Sequence, residues 1–357
     1  MMIKVLVTGV LGQDGANMVE YLLREVGDVK IYGMMRRSAN PNFINTHNFK
    51  NDPNFEFIYG DLSDDVSVDK IVKDIQPDYF INFAANSFVG CSWDMPLQVM
   101  DINTIGVLRC LEAIRKFKPD CRFYSAGSSE EWGNVDYSPQ DINHPIKPRS
   151  PYGASKAAAR HLVKVYRESH DIFAVHGILF NHEGTKRGEE FVTRKITKAV
   201  AKISHEIKNN KNISTLQLGN LDAKRDWSDS EDFVEGVWLM INQNEPKDYI
   251  LSSGETHSIR EFVELAFFIA GIQGYWEGSG VEETYNLENY IAEELNTQNP
   301  VLVKINKQFF RPAEVELLLG DSTPIREELG WTPKVSFDKL VQKMVEFDLD
   351  EKKVNQS

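Results

Sequence analysis

A chain of 357 residues, 41% hydrophobic and 26% charged, has ample material for a core and holds one large domain or two modest ones. Its 23 Gly and 14 Pro are too few for a low-complexity or fibrous protein. Asp and Glu outnumber Lys and Arg by 53 to 40, and the net charge of −13 repels nucleic-acid phosphates and anionic lipid, which argues against both as partners.

The first 180 residues alternate short β-rich runs with stretches of helical period, the pattern of βαβ units feeding a parallel sheet of the α/β class. The runs are Ile3–Thr8, Val29–Met35, Phe55–Tyr59, Tyr79–Ala84, Arg122–Ala126 and Ile172–Leu179. Between the first two, Met18, Val19, Leu22, Leu23 and Val26 recur at helical spacing, and Gly27 offers a left-handed stop. Beyond residue 180 the alternation loosens. Helices are predicted over Glu189–Ser204, Glu231–Asn242 and Ser258–Ala270, and strands over Thr215–Leu218 and Tyr249–Leu251, which reads as a smaller α/β second domain over 181–350. Residues 273–300 are acidic and irregular and read as a loop or short helix, with Glu282–Glu283 and Glu293–Glu294 as a solvated face. Ser336 then caps an amphipathic helix carrying Phe337, Leu340, Val341, Met344 and Val345, and 351–357 is a frayed polar tail. No apolar run approaches the roughly 20 residues of a membrane helix. Three cysteines without metal-ligand spacing, and no basic-then-apolar leader, point to a reduced, cytoplasmic protein. Eight histidines show no ligand pairing, so no metal is predicted, and Met34 and Met35 read as core.

The first strand runs into Gly9, Gly12, Gln13, Asp14 and Gly15, three glycines at three-residue spacing between a strand and a helix. Side-chain-free positions let backbone approach a pyrophosphate, whose charge then sits on free N–H groups at the helix N-terminus. The second strand ends in Arg36-Arg37-Ser38, where an NAD site usually presents an acid to the ribose. Two guanidiniums there suit a 2′-phosphate; a solvated basic loop or a subunit contact is the lesser reading, and the two uses are compatible. Asp61, Leu62, Ala84 and Ala85 fall at the carboxyl ends of the third and fourth strands, where an open α/β sheet holds its ligand. Further on, Ser150-Pro151-Tyr152-Gly153-Ala154-Ser155-Lys156 opens a helix and sets Tyr152 and Lys156 on one face. An ammonium beside a phenol favours phenolate, so Tyr152 is expected to serve as a base. Ahead of it, Gly127-Ser128-Ser129-Glu130 offers a hydroxyl for a substrate and a carboxylate able to move protons on carbon.

These stretches resemble the extended short-chain dehydrogenase/reductase family and, within it, the GDP-mannose 4,6-dehydratases, over nearly the full chain. The resemblance is carried by TGVLGQDG, MMRRSA, YGDLSD, SPYGASK, GILFNHEGTKRGEEFVTRKI, LGNLDAKRDW, SGETHSIREFVELAF and FFRPAEVELLLGD. It implies a Rossmann-type doubly wound parallel sheet over 1–180 that binds NADP, some later segments returning to it, and a GDP-sugar domain over 181–350. It implies a redox-neutral dehydration of GDP-mannose, or a GDP-heptose, on recycled NADP. Ser128, Glu130, Tyr152 and Lys156 would be the catalytic set. Beside the glycine turn and Arg36, Arg37 and Ser38, the cofactor would meet Ser87, Leu179, His182 and Arg187 as well as Asp61, Leu62, Ala84 and Ala85. The substrate would meet Ser87, Ser128, Glu130, Asn181, Lys195, Leu218, Gly219, Lys224, Arg225, Arg311 and Glu314, the cations forming an anion pocket in an otherwise acidic chain. Family members form homodimers or homotetramers.

Three departures cluster near the sugar. The family's Ser-Thr-Ser-Glu-Leu-Tyr-Gly is Gly127-Ser128-Ser129-Glu130-Glu131-Trp132-Gly133 here, its Gln-Ser-His is Asn86-Ser87-Phe88, and Tyr152-Gly153-Ala154-Ser155-Lys156 also resembles the related 4-keto-sugar reductases. A GDP-4-keto-sugar reductase, a GDP-sugar epimerase and an NADP-binding sensor therefore stand as alternatives.

Overall fold

The computed structural model describes residues 2–133, 135–288, 300–310, 313 and 315–354. Strands β1 (Ile3–Thr8), β2 (Val29–Met35), β3 (Phe55–Tyr59), β4 (Tyr79–Asn82), β5 (Arg122–Ala126) and β6 (Ala174–Leu179) form where the apolar runs place them, with β4 and β6 shorter by two residues each. The last four residues of β1 are buried, as the near-continuous apolar run of a strand covered on both faces requires. All six pair in parallel.

Helix α1 (Gln13–Tyr21) follows the glycine turn and passes into a π-helical turn at Leu22–Val26. Gly27, with φ +80°, ends it. Helices α2 (Asp65–Ile75), α3 (Pro96–Met100), α4 (Gly106–Phe117) and α5 (Pro151–His170) complete the first 170 residues. Then come β7 (Asn181–Glu183), α6 (Val192–Lys208), β8 (Leu216–Leu218), β9 (Lys224–Arg225), β10 (Trp227–Asp229) and α7 (Ser230–Ile241). The chain continues through β11 (Ile250–Leu251), β12 (His257–Ser258), α8 (Ile259–Ile269), β13 (Gly274–Glu277), β14 (Thr284–Leu287) and β15 (Val301–Ile305), and closes with helices at Thr323–Leu329 and Phe337–Val354.

The main sheet has the order β11-β6-β5-β4-β1-β2-β3. Its strand order reverses between β1 and β4, and the cleft opens there at the carboxyl ends. One face is covered by α1 and α7, whose Val19, Phe233, Val237 and Met240 share a core with Val5, Ile31 and Tyr124. The other carries α2, α4 and α5 over Leu6, Phe80 and Phe123. The returning segments are thus α7 and β11, the latter pairing Ile250 with Ile178. A second core joins α6, α8, the last helix and a four-stranded sheet of order β13-β14-β15-β8.

Three expectations need correction. Residues 274–277 and 284–287 are strands β13 and β14, paired antiparallel, and only the connection between them, with a 3₁₀ turn at Gly280–Glu282 and Gly278 and Gly280 at φ +85° and +59°, is the expected loop or short helix. Their two faces are both partly covered, so no polar alternation betrays them. Glu283 is no solvated charge: its carboxylate takes two N–H groups of Arg260 at 2.9 Å, while Glu293 and Glu294 lie outside the described residues. The final helix runs on to Val354, so the tail is not frayed from residue 351.

Candidate active site

The glycine turn is built by close approach. Gly9 adopts φ +69°, and a Cβ there would come within 2.9 Å of the Ala84 nitrogen. A Cβ on Gly15 would meet the Gly9 oxygen at 2.4 Å, and one on Gly12 would meet it at 3.2 Å. Each glycine is therefore dictated sterically, and the turn leaves bare backbone at the start of α1. Thr8 fastens it to the sheet: its hydroxyl donates to Asn82 Oδ1 at 2.6 Å and accepts from Ala84 N–H at 3.1 Å.

Asp14 and Gln13 line the cleft and also hold β7 against α1. Gln13 donates to the His182 carbonyl at 3.1 Å, and Asp14 Oδ2 lies 3.1 Å from His182 Nε2. Burial pushes the Asp14 carboxyl up, but His182, Arg187 and Gln13 outweigh it and hold it at about 2. His182 also stacks on Phe233, with ring centroids 4.7 Å apart.

The turn that carries Ser128 and Glu130 follows β5. Ser128 is the N-cap of a short 3₁₀ turn, Ser129–Glu131: its Oγ accepts from Glu130 N–H at 3.2 Å, and the Glu131 carboxylate accepts from Ser128 N–H at 2.9 Å. This capping box fixes Ser128 and Glu130 relative to each other. Helix α5 begins opposite. Ser150 caps it by accepting from Gly153 N–H at 3.0 Å, and Pro151 occupies the first turn. A Cβ on Gly153 would sit 2.4 Å from the Glu130 carbonyl, so the helix start and that turn touch through glycine. Asn103, within the π-helical stretch Asp101–Ile105, binds both the Asn86 backbone and the Ser155 hydroxyl and so ties the loop after β4 to α5.

Ser128, Glu130, Tyr152 and Lys156 are each no more than 8% exposed and line one cleft of about 1700 Å³ that starts at the glycine turn. Lys156 donates to the Ala126 carbonyl at 2.7 Å, its ammonium 5.8 Å from the Tyr152 ring centroid. The expected phenolate is not what these surroundings favour. Burial pushes Tyr152 above its usual value and Glu130 and Glu131 add to this, against opposing pulls from a hydrogen bond to Ser128 and from Arg187. Burial also brings Lys156 down to about 8, against Glu131 and Asp14. Burial outweighs the Ser128 hydrogen bond and Arg187, and Tyr152 rests as the phenol.

Nearly every other expected residue lines the same cleft: Gly9, Gly12, Gly15, Arg36, Ser38, Asp61, Leu62, Ala84, Ala85, Ser87, Leu179, Asn181, His182, Arg187, Lys195, Leu218, Gly219 and Arg225. Arg37 and Lys224, both exposed, do not. Alternate residues of an extended segment point to opposite sides, which separates Arg37 from Arg36 and Lys224 from Arg225. Arg311 and Glu314 lie outside the described residues. Asn181 Oδ1 is buried without a protein partner. Lys195 Nζ stands 3.5 Å over the Phe309 ring, and burial lowers its pKa.

Phe309, Asn103 and Asn45 escaped the sequence reading. Asn45 donates to the Leu11 and Lys186 carbonyls, both at 3.1 Å, and bridges the glycine turn to the far wall. Paired aromatics beside Arg311 were a signal for Phe309; nothing local marks the two asparagines. Among the described residues no group of His, Cys, Asp or Glu is placed to hold a metal, and no helix is long and apolar enough to cross a membrane.

The family model for GDP-mannose 4,6 dehydratase matches residues 6–344. The chain belongs to the GDP-mannose 4,6 dehydratase family. A Drosophila melanogaster GDP-mannose 4,6 dehydratase is 41% identical over 97% of this chain and 86% of its own length. The Homo sapiens relative is 39% identical over 98% and 92%, and that of Yersinia enterocolitica 38% over 98% and 95%. Among solved structures, the dTDP-glucose 4,6-dehydratase DesIV of Streptomyces venezuelae, with NAD and TYD bound, superposes with a TM-score of 0.80 at 20% identity, covering 99% of this chain and 98% of that one. RMD of Pseudomonas aeruginosa, complexed with NADPH, gives 0.71 at 19%, covering 98% and 99%. At such identities the two structures establish the shared Rossmann fold that GDP-mannose 4,6 dehydratase family members adopt.

Proposed function

We propose that this chain is a GDP-mannose 4,6-dehydratase, converting GDP-mannose to the GDP-4-keto-6-deoxy sugar on a nicotinamide dinucleotide regenerated in each turnover. One observation carries the reading: a carboxylate, Glu130, stands with Ser128, Tyr152 and Lys156 in the cleft that opens at the glycine turn. A ketoreductase needs the hydroxyl, phenol and ammonium; removal of a carbon-bound proton needs the carboxylate as well.

The cleft fits a dinucleotide. Bare backbone at Gly9 and Gly15, where a Cβ collides, and at Gly12, where one would be crowded, leaves room for a pyrophosphate at the N-terminus of α1. Arg36 and Ser38 would hold a 2′-phosphate, which supports NADP. When bound, the cofactor supplies an acceptor for the C4 hydrogen that returns it at C6, so no outside reductant is consumed.

The residues divide the proton work. Tyr152 first loses its phenolic proton to solvent and, as the phenolate, takes the proton of the 4-hydroxyl, while Ser128, whose Oγ already accepts from Glu130 N–H, has its own proton to donate to the sugar oxygen. The Lys156 ammonium stabilises the phenolate as it forms. The 4-keto group then acidifies C5–H; Glu130 removes that proton and delivers it to the departing 6-hydroxyl, which leaves as water, and C5 regains a proton from solvent as the hydrogen returns at C6. Asn181 Oδ1 offers the sugar an acceptor, and Lys195 and Arg225 face the diphosphate.

The test is incubation of purified protein with GDP-mannose and no reductant, followed by mass spectrometry. Loss of one water is expected. An unchanged GDP-mannose, together with reduction of a GDP-4-keto sugar by NADPH, would make this a reductase instead.

A further inference from the structure

Glu131 and His176 are both fully buried directly behind the catalytic turn, and the mechanism above uses neither. Oε1 of Glu131 accepts from Ser128 N–H at 2.9 Å and lies 2.9 Å from His176 Nε2. A carboxylate only accepts, so Nε2 carries the proton. Oε2 lies 4.0 Å from Arg160, which stands one helical turn beyond Lys156 and two beyond Tyr152 on the same face of α5. His176 is placed by the sheet, its backbone N–H donating to Asp248 at 2.8 Å.

The pair also accounts for two departures from the family pattern as one change. A Cβ on Gly127 would sit 2.3 Å from His176 Nε2 and 2.8 Å from Glu131 Oε1. Glycine at 127, where the family has serine, makes the space; glutamate at 131, where it has leucine, fills it with charge.

We propose that Glu131, braced by His176, is a positioning residue that pins Ser128 from behind and holds a negative charge beneath the Tyr152–Lys156 pair. Although burial pushes its carboxyl up, His176, Arg160 and the Ser128 N–H outweigh that and keep it ionised. Its charge in turn raises Lys156, which burial alone would depress further. Glu131 on the turn and Asp14 on α1 raise Lys156 against its burial; the other titratable and charged groups around the site are Glu130 on the turn, His182 and Arg187 beside Asp14, Tyr152 and Arg160 on its own helix, and His176 on β6.

The kinetic part of the test rests on the dehydratase reading, and the spectroscopic part does not. Glu131→Gln keeps an oxygen for Ser128 and removes the charge. With GDP-mannose, kcat is expected to fall about tenfold with KM and dinucleotide binding unchanged, and the alkaline limb of the pH profile to move to lower pH. Glu131→Leu, which keeps the apolar volume but neither acceptor nor charge, is expected to lose more kcat at the same KM. In the protein without substrate, NMR of 13C-labelled lysine is expected to show the Lys156 titration displaced downward in both variants. An unmoved Lys156 titration, or wild-type kcat in Glu131→Gln, would overturn the proposal. Failure of the wild type to dehydrate GDP-mannose would instead overturn the dehydratase reading and leave the lysine titration to decide this one.

Discussion

The two turns that make the active site are held by opposite means. The glycine turn at Gly9–Gly15 is a steric object: each glycine stands where a Cβ would strike or crowd backbone, and the turn leaves bare N–H groups at the start of α1. The turn at Ser128–Glu131 is an electrostatic one, clamped by its own buried carboxylate, Glu131, against a histidine and an arginine from two other segments. A binding surface for a phosphate tolerates no side chains, whereas a proton-transfer centre must fix charged side chains in a dry place, and only partners can keep them charged there.

The largest effect should fall on the chemical side alone. Glu130→Gln is expected to reduce water loss about a thousandfold while dinucleotide binding, read by fluorescence titration, stays within twofold. A loss of binding would mean that the two turns are not separable. Next comes pH. Lys156 sits at about 8 and works as the cation, so the rate is expected to hold below that value and to fall as pH rises through it; Lys156→Gln should show no such limb in its residual activity. A limb near the free-lysine range would place Lys156 in a wetter site than described here.

On the steric side, Gly15→Ala forces a methyl to within 2.4 Å of the Gly9 oxygen and is expected to cost about 1–3 kcal/mol of stability together with dinucleotide affinity. Thermal denaturation checks this, and an unchanged melting temperature would contradict the tight turn. The smallest contrast lies between neighbours. Arg36→Ala is expected to lower preference for NADP over NAD by about tenfold, the worth of one charge-assisted phosphate contact, and Arg37→Ala to leave it unaltered. Equal losses from the two would put both guanidiniums on the phosphate.

The same contrast explains what the sequence disclosed. A steric device is local, so three glycines at fixed spacing between a strand and a helix could be read directly, as could Tyr152 and Lys156 one turn apart. The charge network is not local. Glu131 and His176 are 45 residues apart, and nothing near either announces the other. Without that network in view, the expected phenolate at Tyr152 followed from its sequence neighbour Lys156, whereas burial, a property of the whole fold, decides the resting state. Strands β13 and β14 were missed because partial cover on both faces erases alternation. Arg36 and Arg225 line the cleft and their neighbours Arg37 and Lys224 do not, a distinction that a dibasic pair does not reveal in sequence.

The central claim is that hydrogen leaves C4 and returns at C6 within one closed cleft while Glu130 moves the C5 proton. The most direct measurement uses GDP-mannose carrying deuterium at C4, in ordinary water, without added reductant. The account predicts a 4-keto-6-deoxy product that has lost one water, retains that deuterium at C6, and carries a solvent-derived hydrogen at C5. Deuterium retained at C4, or released from the product altogether, would contradict it.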